Sequence, residues 1–230
     1  MKELLCNSVY FGVVLSLAAY WVGMLLKKRF RLQVLNPLMI AIALTIIVLL
    51  ICGVDYQSYN QSAKYLTYLL TPATVCLAIP LYEQFKLLKQ NLTAIMVGIS
   101  TGVVTALLSI FLMSLIFKLG HQEYVTLLPK SITTAIGIGL SEEMEGYVSI
   151  TVASIMITGL FGNIAGEMIC KLFRITHPIA KGVAFGTSAH VMGTSRAMEI
   201  GKVEGAMSSL SIVVAGLLTV LGAIIFEMFI

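Results

Sequence analysis

Six stretches of this chain, residues 7–26, 34–54, 64–82, 91–117, 148–170 and 205–229, are apolar over about the length that carries a helix through a bilayer. Crossing the hydrocarbon takes roughly 20 predominantly apolar residues. Within it, backbone polar groups must be satisfied inside the protein, which a helix does segment by segment. Composition agrees, with 58% of residues hydrophobic and only 11% charged. A soluble domain carries about 25% charged residues. The expectation is an all-α polytopic membrane protein, a single membrane domain over residues 1–230. The net charge of +4 is then a matter of loop distribution. No basic patch interleaved with aromatics is present, so nucleic acid is not an expected partner; the lipid bilayer is.

The N-terminus lacks the order of a signal peptide, in which positive charge precedes the apolar core. Here Lys2 and Glu3 cancel, and Lys27, Lys28, Arg29 and Arg31 follow the core. That order predicts a retained first helix. Cys6, Cys52, Cys76 and Cys170 stand singly in or beside apolar runs, without redox or metal-ligand spacing. His121, His177 and His190 form no metal-binding pattern. No metal or other cofactor is expected. No nucleophile–base pair stands at a meaningful spacing, so the chain is not expected to be an enzyme.

Two further stretches, 128–146 and 178–198, are only partly apolar and rich in Gly, Ser and Thr. Flanked by membrane helices, they must line a cavity or be buried in protein. Cytoplasmic loops carry the excess of Lys and Arg. If 128–146 enters and returns as a re-entrant segment, nine Lys and Arg fall inside and six elsewhere. The reading is then about seven spans plus that segment. The starts 34, 64 and 91 recur as 148, 178 and 205, offset by 114 residues and opposite in direction. Such a pattern predicts an inverted-topology repeat, 34–117 against 148–229, a common build for secondary transporters.

Each repeat contains one interrupted helix. In "LLTPATVCLAIPLYE", residues 69–83, Pro72 and Pro80 each remove a backbone donor and crowd the preceding turn. Thr71 before Pro72 fits a cap on a half-helix, with Thr74 one turn on. In "VAFGTSAHVMGTSRA", residues 183–197, Gly186 and Gly193 loosen the helix, and Thr187, Ser188, Thr194 and Ser195 can cap the ends. Facing breaks near the midplane make a substrate site in several carrier folds. Arg196 suits a carboxylate bidentately, and His190 can exchange a proton near neutral pH. A plainer reading stands beside this one. Gly, Ser and Thr in membrane helices commonly serve close packing, and an arginine can snorkel to the interface. In "LLPKSITTAIG", Lys130 precedes Ser131, Thr133 and Thr134, a pattern suited to collecting a small anion or to starting an interfacial helix.

The segments "LLTPATVCLAIPLYEQ", "LPKSITTAIG" and "AFGTSAHVMGTSRAMEIGKVEGAMSSL", with "LNPLMIAI" at 35–42, resemble the LrgB/CidB family of bacterial membrane proteins, including its YohK branch, over nearly the whole chain. The matching motif positions are Asn36, Pro72, Pro80, Tyr82, Lys130, Ser131, Thr133, Thr134, Thr187, Ser188, His190, Gly193, Thr194, Arg196 and Glu199. Ala135 replaces the usual proline after the two threonines, and 205–229 lacks the proline frequent in the last helix. The resemblance implies a bacterial cytoplasmic (inner) membrane protein. It also implies holin-like or antiholin-like modulation of murein hydrolase export and autolysis, with a smaller LrgA/CidA-type partner. Through the chloroplast glycolate/glycerate translocator and bacterial pairs linked to pyruvate uptake, it further implies transport of small carboxylates. Costly interrupted helices favour a carrier of a small anionic solute, assembled as a homo-oligomer. The family's usual label favours the regulator.

Overall fold

A computed structural model describes residues 10–30 and 36–230. The expected spans 7–26 and 34–54 therefore begin on residues outside the described set. Described residues form helices and no strands, and the chain divides into two compact units, Met1–Cys76 and Leu77–Ile230. Five helical stretches are long and apolar enough to cross a membrane: Phe11–Phe30, Tyr56–Glu83, Leu92–Phe117, Val148–Leu172 and Lys202–Glu227. Pro37–Cys52 is apolar but only 16 residues long. The all-α polytopic expectation therefore holds, while the stretch expected to cross at 178–198 is not among these helices.

The first unit contains α1 (Phe11–Phe30), α2 (Pro37–Cys52), α3 (Tyr56–Thr67) and α4 (Leu70–Cys76). Asn36 caps α2 by accepting the Leu38 N–H at 2.8 Å, with Pro37 at the first helical position, where its missing donor costs nothing. Gly53, with φ 61°, ends α2 in the left-handed conformation glycine tolerates. Asp55 caps α3 through Ser58, whose hydroxyl and N–H hold its carboxyl below the usual range. The Gly12 N–H donates to Ser62 Oγ (2.8 Å), tying α1 to α3.

The second unit contains α5 (Ala78–Glu83), α6 (Phe85–Gln90), α7 (Leu92–Phe117), α8 (His121–Leu127), a 3-10 turn (Leu128–Ser131), α9 (Thr134–Glu143), α10 (Val148–Leu172), α11 (Pro178–Ile200) and α12 (Lys202–Glu227). Its core lies where α7, the turn and α12 meet, around Ile99, Tyr124, Leu128 and Met207.

The expected proline breaks are milder than the sequence suggests. The helical run is interrupted at Tyr68–Leu69 and at Leu77, four and three residues before Pro72 and Pro80. A proline cannot bond the carbonyl four residues back, so this is where hydrogen bonding must lapse. Tyr68 (φ −64°, ψ −21°) and Leu77 (φ −65°, ψ −19°) nevertheless keep right-handed helical dihedrals. Helix α4 starts at Leu70, with the Ala73 N–H bonded to the Leu69 carbonyl, so Thr71 lies inside its first turn and does not cap it.

Two segments of the second unit reverse direction. Helix α11 is broken at Ala189 and His190. Before the break, Gly182 lies against Glu204 and Gly186 against Ser208, so this limb runs parallel to α12. After it, Thr194 meets Ser208 and Met198 meets Gly205, so the limb runs antiparallel. Contacts with α10 agree: Phe185 and Ala189 face Gly166 and Gly162, whereas Met192 and Arg196 meet Asn163 and Glu167. Residues 178–200 thus form a hairpin that returns to the end it left. Residues 121–143 do the same from the opposite end. Thr126 meets Thr151, then Gly137 meets Ile155, and Ser141 returns to Thr151. The Gln122 side chain donates to the Glu145 carbonyl (3.0 Å), closing the base of that hairpin.

The first hairpin's base gathers His121, Glu123, Glu142, Glu143, Glu145 and Glu227. The second hairpin's base gathers Lys171, Arg174, Lys181, Arg196 and Lys202, on the side where Lys86 and Lys89 precede α7.

Candidate functional site

The two hairpin tips are built differently. In the first, Pro129 sits at the front of the 3-10 turn, and the chain then goes extended at Ile132 (φ −108°, ψ 178°) and Thr133 (φ −67°, ψ 145°) before α9 begins. Lys130 Nζ donates to Ser131 Oγ (3.2 Å). No carboxylate among the described residues pairs with this lysine. In the second tip, Ala189 (φ −133°, ψ 16°) and His190 (φ 42°, ψ −133°) make the turn, and His190 adopts a conformation that L residues rarely take. The surroundings hold it there. His190 is 4% exposed, and its Nε2 lies 3.1 Å from the Ile155 carbonyl of α10. Thr194 Oγ1 donates to the His190 carbonyl (2.9 Å) and lies 2.7 Å from Ser208 Oγ. The Asn163 side-chain N–H donates to the Met192 carbonyl (2.7 Å).

The glycines serve this packing. The expectation that Gly186 and Gly193 loosen the helix gives way to a turn between them, at Ala189–His190. A Cβ on Gly186 would run into the Ser208 carbonyl, and one on Gly193 into the carbonyl of Phe185, eight residues back. That approach exists only because the chain has reversed.

A cavity of about 790 Å³ lies between the tips. Lys130 and Ser131 line it from the first hairpin, and Thr187 and Ser188 from the second. The rest of the wall comes from α7 as far as Ser109, from α10 between Thr158 and Cys170, and from the incoming limb of α11, and it extends to Asn91 and His177 at the basic end. Most of this wall is apolar. Ser188 Oγ is occupied by the Ala184 carbonyl (2.6 Å). Thr187 is 6% exposed, and its buried Oγ1 has no hydrogen-bond partner. A buried hydroxyl left unpaired costs about 1–3 kcal/mol, and Ser114 Oγ, away from the cavity, is buried in the same way.

Of the residues singled out by sequence, Lys130, Ser131, Thr187 and Ser188 come together here. Thr133 and Thr134 lie at the start of α9, outside the wall, and no side-chain cap bond is made there. His190 and Thr194 are buried behind the tip as structural ties, and Ser195 is exposed. Pro80 lies in α5, away from the cavity. Thr71, Pro72 and Thr74 belong to the first unit, and the Thr74 side chain lies outside the described residues. The guanidinium of Arg196 is taken up by Glu167 and Glu199, so its charge latches the outgoing limb of the second hairpin to α10. Lys171 shares Glu167 at 2.9 Å. Glu167 escaped the sequence reading, although a carboxylate inside an apolar run signals a partner. The wall hydroxyls Thr105, Ser109 and Thr158 also escaped it, because nothing in α7 or α10 distinguishes them from other membrane hydroxyls.

Among the described residues no cluster of His, Cys, Asp and Glu could hold a metal ion. The model of the LrgB-like family matches residues 16–229. The holin-like protein CidB of Staphylococcus epidermidis is 37% identical over 207 residues, 90% of this chain and 90% of its own. The antiholin-like protein LrgB of Bacillus cereus is 35% identical over 212 residues, 92% of each. No solved structure matches the chain. With a family match running almost from end to end and relatives of equal length, this multi-pass membrane protein belongs to the LrgB-like family.

Proposed function

We propose that the chain is a carrier of small carboxylates in a bacterial cytoplasmic membrane, binding its solute between the two hairpin tips. The observation that carries this is a lysine without a carboxylate partner in the cavity wall, with the Ser131 hydroxyl beside it and Thr187 and Ser188 of the second hairpin in the same wall. An ammonium with a hydroxyl beside it suits one carboxylate, and the apolar remainder of the wall suits a short carbon chain.

A second reading is favoured by the relatives' names, holin-like and antiholin-like. In it the chain regulates murein hydrolase export together with a small LrgA/CidA-type partner, and the hairpins are packing devices. The two readings join if solute flux sets the membrane energetics that control autolysis.

Thermal unfolding of the purified protein with millimolar glycolate, glycerate, pyruvate and lactate separates them. A ligand present at 100 times its Kd stabilises the folded state by about 2.7 kcal/mol. The carrier reading predicts stabilisation by at least one of these acids, abolished in Lys130→Gln. No stabilisation by any of the four leaves the regulator.

A further inference from the structure

The second unit carries a register that the apolar segments alone do not reveal. Helix α7 starts at residue 92 and α10 at 148, an offset of 56. The hairpins start at 121 and 178 and end at 143 and 200, offset by 57 both times. The breaks, at 132–133 and 189–190, are also 57 apart. This offset is half the 114 residues that separate the apolar spans. The directions are opposite: α7 runs from the basic end to the acidic end and is followed by a hairpin there, whereas α10 runs back and is followed by a hairpin at the basic end.

We propose that residues 92–143 and 148–200 are two inverted copies of one helix–hairpin unit, with Lys130–Ser131 and Thr187–Ser188 as equivalent positions that form the two halves of one anion site. The proposal rests on the carrier reading for the anion, and on geometry alone for the repeat. Lys130 and Thr187 are 57 residues apart, as are Ser131 and Ser188, and Thr105 and Gly162; all six line the same cavity. The 3-10 turn that carries Lys130 packs directly on α11. Around the two-fold axis that would relate two such inverted copies, either tip can present the positive charge to one bound carboxylate. It also defines the other conformation of a carrier, since exchanging the roles of inverted units moves an opening from one end to the other. In this structure the wall extends to Asn91 and His177, at the basic end.

The test moves the charge across the axis. Binding of pyruvate, or whichever of the four acids stabilises the protein most, is read by thermal unfolding in detergent for wild type, Lys130→Thr, and Lys130→Thr combined with Thr187→Lys. Lys130→Thr is expected to weaken binding roughly tenfold or more, and the double variant to return most of that loss. Thr187 packs on Gly102, so Lys130→Thr with Ser188→Lys is run as well, placing the amine on the exposed neighbour at the same tip. Two folded double variants that bind as weakly as Lys130→Thr would overturn the equivalence. Unchanged binding in Lys130→Thr would instead remove the carrier site itself. A ligand-free arm joins Ser131→Cys to Ser188→Cys with a short bifunctional maleimide, in protein whose other cysteines are replaced. Cross-linking is expected, and its absence in folded protein would also overturn the shared site.

Discussion

The two hairpins solve one problem, reversing a chain at membrane depth, by different physical means. The first is held by hydroxyls: Thr126 Oγ1 accepts from the Tyr147 N–H (2.8 Å), and Thr151 Oγ1 donates to the Thr126 carbonyl (2.9 Å) and lies 2.7 Å from Ser141 Oγ. Its break uses ordinary extended dihedrals. The second also uses hydroxyls, through Thr194 and Ser208, but adds charge at its base, through Arg196 and Glu167, and an imidazole at its tip, where His190 carries the strained φ. The relaxed hairpin bears the lysine that has no carboxylate partner, and the strained one uses His190, Arg196 and Glu199 to hold itself in place. A chemically reactive look in the sequence therefore marks the tied hairpin, and the lysine without a carboxylate partner sits in the quieter one.

Removing the ties should separate the hairpins most. Glu167→Ala leaves Arg196 with Glu199 alone and is expected to cost about 1.5–3 kcal/mol, as for hydrogen bonds to charged groups. The cost should shrink as salt rises. Thr151→Val removes neutral hydroxyl bonds only and is expected to cost about 1 kcal/mol with no salt dependence. Equilibrium unfolding in mixed micelles at low and high salt measures both, and equal salt responses would erase the distinction.

The glycines sharpen it next. Gly186→Ala pushes a methyl group against the Ser208 carbonyl, and overpacking of this kind costs about 1–3 kcal/mol. Gly139, in α9 of the first hairpin, has open space where its Cβ would stand, so Gly139→Ala is expected to stabilise by about 0.5–1 kcal/mol. Melting temperatures of the two variants should move in opposite directions.

The smallest effect is at the breaks themselves. Glycine relieves the strain at position 190, so His190→Gly should be more stable than His190→Ala by about 1 kcal/mol. At the equivalent extended position the order should invert, with Thr133→Gly less stable than Thr133→Ala by about 0.4–1 kcal/mol. The same sign at both positions would mean that the tips do not differ in strain.

The helical class was legible in the sequence because hydrocarbon thickness imposes a run length that composition alone exposes. Lys130, Ser131, Thr187 and Ser188 were legible as polar groups out of place in apolar surroundings. The reversal at 189–190 was not, because no glycine or proline stands there: the left-handed φ falls on His190, and the ties that enforce it come from Ile155, Asn163 and Ser208, distant in sequence. Arg196 looked like a ligand for the same reason. Its partner Glu167 lies 29 residues away, and a parallel limb is needed to bring them together. Pro72 and Pro80 drew attention through strong local rules, yet Tyr68 and Leu77 keep helical dihedrals.

Residues 178–200 return to the end they leave, and the faces on which their flanks emerge test this directly. Single cysteines at Arg174, Lys202, His121 and Glu145, in protein lacking its native cysteines, can be labelled with a membrane-impermeant maleimide from either face of oriented vesicles. With a returning hairpin, positions 174 and 202 label from one face, cytoplasmic by their positive charge, and 121 and 145 label from the other. Labelling of 174 and 202 from opposite faces would make 178–200 a crossing helix and contradict it.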